Sequence, residues 1–60
     1  MIKVGDLVKP LMWSSSRGMY IVQPGSGCWL LLEIKKNRRI KKYLCMQGST
    51  KRVYSRLEKV

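Results

Sequence analysis

Six of the eight residues from position 35 to position 42 are basic, and no acidic residue interrupts them. The members of this basic run are Lys35, Lys36, Arg38, Arg39, Lys41 and Lys42. Lysine and arginine side chains can hold phosphate or carboxylate groups through charge-assisted hydrogen bonds. Crowded like charge also destabilises a folded chain by self-repulsion, so the run predicts a polyanionic partner that offsets the repulsion.

Most of the net positive charge of the chain lies in the second half of the sequence. Its 60 residues carry 13 basic and 3 acidic side chains, a formal net charge of +10. Residues 1–33 have a net charge of +1, and residues 34–60 have a net charge of +9. Tyrosines lie among the basic segments of the second half, and aromatic rings beside Lys and Arg are typical of a surface that binds nucleic acid.

The sequence therefore predicts binding to DNA or RNA through phosphate contacts. The predicted nucleic-acid-binding residues are Lys35, Lys36, Arg38, Arg39, Lys41, Lys42, Tyr43, Lys51, Arg52 and Tyr54. No helix suited to reading bases is predicted, so sequence specificity should be weak and binding should fall as salt is added. For an ordinary charge run, a solvated loop that keeps the protein soluble is the alternative interpretation.

Catalytic and metal chemistry have little support in the sequence. The chain has no histidine, and its only carboxylate side chains are Asp6, Glu33 and Glu58. Their spacing indicates no acid/base pair, so the chain is not expected to be an enzyme or to take a small-molecule substrate. Cys28 and Cys45 cannot form a four-ligand zinc site by themselves, and no metal or cofactor is predicted.

Cysteine content and hydropathy predict a cytoplasmic protein. A secreted domain of this size normally carries several disulfides, whereas two cysteines and no visible signal peptide indicate free thiols in a reducing compartment. The longest unbroken apolar run, Cys28–Leu32, is five residues long. It is much shorter than the ~20 residues of a membrane-spanning helix, so no membrane span is predicted.

Short alternating segments predict that strands position these side chains. Alternate positions of residues 29–35 place Leu30, Leu32 and Ile34 on one face, and those of residues 39–47 place Ile40, Leu44 and Met46 on one face. The two segments can join as a hairpin through residues 36–38. In that register Ile34 faces Ile40, Leu30 faces Leu44, and Glu33 faces Lys41. The predicted core consists of Leu30, Leu32, Ile34, Ile40 and Leu44, completed by Val8, Val53 and Leu57.

The fold class expected for residues 1–60 is one all-β domain. Further strands are predicted near residues 7–8, 19–22 and 51–54, and residues 55–57 suit a single helical turn before a last strand. About five short strands with a one-turn helix before the last strand describe a small barrel, because closure protects the edges of so short a sheet.

Both ends of the chain resemble SH3-like barrels, in particular the very small ones that bacteriophages encode. The resemblance lies in Lys3-Val4-Gly5-Asp6-Leu7-Val8 at the start and in the segment from Val53 to Val60 at the end. It implies an SH3-like barrel that acts in the host cytoplasm. Such barrels commonly bind peptides between the loop after the first strand and a hairpin loop. The resemblance therefore implies an alternative function, a protein-interaction module that binds an acidic surface on a host protein.

Overall fold

A computed structural model describes all 60 residues and contains six antiparallel strands and no helix. The strands are β1 (Leu7–Ser14), β2 (Met19–Val22), β3 (Trp29–Asn37), β4 (Ile40–Gln47), β5 (Thr50–Tyr54) and β6 (Leu57–Lys59). The all-β prediction is confirmed, with six strands in place of about five. The predicted one-turn helix is absent, because Leu57 already pairs with Pro10 and the carbonyl of Arg56 accepts a hydrogen bond from the N–H of Leu11 at 3.0 Å.

The first strand organises the sheet by pairing with three others. The strand order is β2-β1-β3-β4-β5, and β6 also pairs with β1. Residues 7–10 of β1 pair with β3 and β6, whereas residues 11–14 pair with β2. The change of partner falls beside Pro10, which has no N–H to donate to a continuous ladder. Because only two residues join β5 to β6, the sheet curls into a small barrel-like fold.

The core is smaller than predicted and uses the other face of β3. Its buried apolar residues are Val8, Trp29, Leu31, Cys45 and Leu57. Burial of Val8 and Leu57 is confirmed. The rest of the predicted core is wrong: Leu30, Leu32 and Leu44 are only half-buried, and the side chains of Ile34, Ile40 and Val53 are exposed.

The hairpin register also differs from the predicted one. Leu31 lies opposite Cys45, the ladder then shifts at Leu32, and Glu33 lies opposite Leu44. The predicted pairs of Ile34 with Ile40, of Leu30 with Leu44 and of Glu33 with Lys41 are therefore wrong. Side chains alternate between the two faces of a strand, so burial of Trp29 and Leu31 turns Leu30 and Leu32 away from the core. The register that forms buries the large Trp29 ring, whose Nε1 donates to the carbonyl of Ser26 at 2.9 Å.

The β3–β4 hairpin turns within the basic run itself. Its two central residues are Arg38 and Arg39, and Asn37 pairs with Ile40 across the turn. Arg38 has a φ of 57°, the only positive φ among the non-glycine residues. A positive φ at the first central residue alone is the pattern of a type II′ turn, where glycine is the usual residue. An arginine at this position has backbone strain of about 1–2 kcal/mol.

Arg38→Gly should therefore stabilise the fold. Removal of the strain should exceed the roughly 0.5–1 kcal/mol that glycine costs through unfolded-state entropy, leaving a net gain of up to about 1.5 kcal/mol. Urea denaturation monitored by tryptophan fluorescence would measure the change. Arg39→Gly is the matched control, because it removes the same charge from a position without a positive φ, and it should destabilise the fold. Equal effects of the two substitutions would contradict the turn geometry.

Candidate nucleic-acid interface

The β3–β4 turn borders an open groove with a volume of about 600 Å³. Its lining residues define the basic groove: Lys36, Arg38, Arg39, Ile40, Lys41, Tyr43, Ser55 and Arg56. Five of these eight side chains are cationic, and none is acidic. Groups of this kind can hold several phosphate or carboxylate groups of one ligand at once.

Strand register brings these cations to one face. Lys36 of β3 lies directly opposite Lys41 of β4, so both side chains leave the same side of the hairpin. Tyr43 follows two residues along β4 on that side, where it is half-buried and packs against the core. Tyr43 therefore connects the lining of the basic groove to the core.

No carboxylate neutralises the basic groove. The single ion pair of the structure joins Lys59 Nζ to Asp6 Oδ2 at 3.8 Å, outside this region. Like charges directly opposite each other occur at Lys36 and Lys41, and such cross-strand pairs destabilise a sheet. A concave site lined by charges of one sign concentrates the positive potential and attracts an anionic ligand. The hairpin therefore keeps an electrostatic cost that a polyanion would relieve.

One wall of the basic groove continues into the β1–β2 hairpin. The Arg56 guanidinium carbon lies 4.3 Å from the centroid of the Tyr20 ring, within the range of a cation–π interaction. Tyr20 in turn meets Trp13 edge-on, with ring centroids 5.1 Å apart. The sequence-based prediction of the site included none of these three residues. The available indication was the polar turn at residues 15–18, across which Trp13 and Tyr20 become cross-strand partners.

Three of the predicted cations do not line the basic groove. Lys35 and Lys42 face each other on the side of the hairpin opposite Lys36 and Lys41. Lys42 Nζ donates a hydrogen bond of 3.2 Å to Ser55 Oγ, so Lys42 contacts one lining residue of the groove from outside it. Lys51 lies opposite Met46 in the β4–β5 ladder, away from the basic groove. The basic run is thus divided between two faces of the sheet by simple strand alternation.

Two more predicted residues, Arg52 and Tyr54, border a second groove of about 450 Å³ with a single cation. The buried Trp29 meets Tyr54 edge-on, with centroids 5.4 Å apart. Gln47 Nε2 donates to the carbonyl of Ser26 at 2.7 Å and to that of Cys28 at 3.1 Å, which ties β4 to the preceding loop. These contacts give the second groove a structural role.

The remaining reactive groups are isolated. Cys28 is exposed, Cys45 is buried, and both thiols are free. Burial raises the pKa of the Cys45 thiol and so disfavours the nucleophilic thiolate. No three His, Cys, Asp or Glu residues form a group able to hold a metal ion. No helix in the structure has the length and hydropathy to cross a membrane.

Comparison of the chain with known protein families, with curated proteins and with solved structures found no match. The residues of the basic groove and the charge around it are therefore the features that indicate a function.

Proposed function

We propose that this chain is a small SH3-like barrel that binds nucleic acid through the basic groove, with weak sequence specificity. One observation carries the proposal: five cations converge on a single open groove without a carboxylate among them. Each cation that neutralises a phosphate releases condensed counterions, which is the main source of affinity in non-specific nucleic-acid binding.

The chemistry of the basic groove suits a phosphodiester backbone. The two arginines of the turn and Arg56 present planar guanidinium groups that can bind phosphate oxygens in pairs. Lys36 and Lys41 add flexible point charges along the strands. Asn and Gln, the side chains that most often read adenine, are absent from the lining. Contacts to phosphate position a protein on the nucleic acid without selecting bases, which supports weak specificity.

An acidic segment of a host protein is the alternative ligand. The lining residue Arg56 contacts Tyr20, so one wall of the basic groove adjoins the β1–β2 hairpin. That location corresponds to the peptide-binding groove expected from the resemblance to phage-encoded SH3-like proteins. In this alternative the same cations would bind carboxylates, and the partner would be one particular protein surface.

Salt dependence of binding tests the proposal. With three to five phosphate contacts, the slope of log K against log salt should lie between about −2 and −4.5. Affinity for a fluorescein-labelled oligonucleotide should then fall by roughly 15- to 500-fold between 50 and 200 mM salt. Oligonucleotides of the same length and scrambled sequence should bind equally well. Fluorescence anisotropy with poly-glutamate as competitor would separate the two ligands. Tight binding to poly-glutamate without binding to any oligonucleotide would contradict the proposal and favour an acidic protein.

A further inference from the structure

We infer that the nucleic acid is single-stranded and that one of its bases stacks on Trp13 at the side of the basic groove. This inference rests on the proposed function and adds the ligand class and a contact. The two tryptophans of the chain differ sharply, since Trp13 is 55% exposed and Trp29 is 4% exposed. An indole ring left in water beside a basic groove forgoes the stabilisation that burial would provide.

Arg56 connects the basic groove to the aromatic pair of Tyr20 and Trp13. It lines the basic groove and also covers the Tyr20 ring at 4.3 Å. Tyr20 is 40% exposed, but one of its faces is already occupied by the guanidinium group. The Trp13 ring lies beyond it at an interplanar angle of 73°, and its greater exposure leaves more ring surface for a ligand. A backbone held by Arg56 would thus place a neighbouring base next to Trp13.

Stacking on an exposed ring selects single strands. In a duplex the faces of the bases are already stacked on each other, whereas an unpaired base offers a free π-face to a protein side chain. Each base–aromatic stack contributes about 1–3 kcal/mol and tolerates any base, which agrees with weak sequence specificity. The cation–π and edge contacts that hold Tyr20 and Trp13 also reduce the entropy lost when a base is bound.

Fluorescence provides a direct test, because only Trp13 is accessible. Titration of the intact protein with oligothymidylate and with oligouridylate should quench the Trp13 emission. Trp13→Leu should abolish the quenching and weaken single-strand binding by about 5- to 150-fold. The salt slope should stay unchanged, since no phosphate contact is lost. Trp13→Phe should restore part of the affinity. Met12→Ala, at the preceding exposed position of β1, should leave the affinity unchanged.

The outcomes separate this inference from the proposed function. Salt-dependent binding of oligonucleotides that is neither quenched nor weakened by Trp13→Leu would overturn the stacking inference and leave the proposed function intact. Equal affinity for a duplex of the same length would overturn single-strand selection. A blue shift of Trp13 emission with phosphatidylglycerol vesicles, without any effect of oligonucleotides, would assign the exposed hairpin to a lipid surface and overturn both. Tighter binding of oligouridylate than of oligothymidylate would support the inference with RNA as the ligand, and the reverse order would support it with DNA.

Discussion

Leu31→Ala should remove a large part of the stability of the fold. Leu31 is fully buried in β3 opposite the equally buried Cys45, so truncation removes apolar contacts and creates a cavity. Such substitutions cost about 2–5 kcal/mol. A 60-residue domain has a total stability of only about 3–9 kcal/mol, and this one also carries a net charge of +10. Urea denaturation followed by Trp29 fluorescence and far-ultraviolet circular dichroism would measure the loss.

Leu32→Ala is the matched control for that measurement. Leu32 is the next residue of β3 and has the same side chain, but it lies at the register shift and is only half-buried. Its truncation should cost roughly 1 kcal/mol. The comparison tests which face of β3 is buried, because the core predicted from the sequence would make Leu32 the more costly position. A greater loss of stability at Leu32 than at Leu31 would overturn the observed burial.

Replacing Lys36, Arg39 and Lys41 by Gln should remove most of the nucleic-acid affinity. These side chains line the basic groove, and the variant leaves the strained turn residue Arg38 and the ring-bound Arg56 in place. Loss of three phosphate contacts should make the slope of log K against log salt less negative by about 2–3. Extrapolated from 1 M salt, the affinity at 0.1 M should fall on the order of 100- to 500-fold. Fluorescence anisotropy at several salt concentrations would measure both quantities.

A second triple variant separates the location of the charge from its amount. Replacing Lys3, Lys35 and Lys51 by Gln also lowers the net charge from +10 to +7, but none of these residues lines the basic groove. The slope of log K against log salt for this control should differ from that of the parent by less than about 0.9, the contribution of one phosphate contact. Neither variant should be less stable than the parent, since both reduce like-charge repulsion without touching the core. Equal losses of affinity in the two variants would mean that binding follows net charge, and the basic groove would not be the site.

Much of the fold follows from local sequence properties. Glycine- and serine-rich segments mark the loop after β2 and the β4–β5 turn, and β-branched and apolar segments between them form strands as predicted. Burial of Val8 and Leu57 also follows from the apolar segments at the two ends of the chain. The concentration of charge in residues 35–42 requires no structure to detect. These properties depend on residue type and on near neighbours, which is why composition and spacing are sufficient to recover them.

Tertiary structure decided which side of each strand faces the core. The shift at Leu32 and the turn at Arg38 and Arg39 fix the register, and a single-residue change in register sends every side chain of a strand to the opposite face. The same rule divides the basic run, placing Lys36 and Lys41 in the basic groove and Lys35 and Lys42 on the other side. The connection of Arg56 to the β1–β2 hairpin joins residues more than thirty positions apart in the sequence. The sequence by itself determined the amount of charge and the type of secondary structure, because both are local, whereas the shared face of the groove depends on long-range pairing.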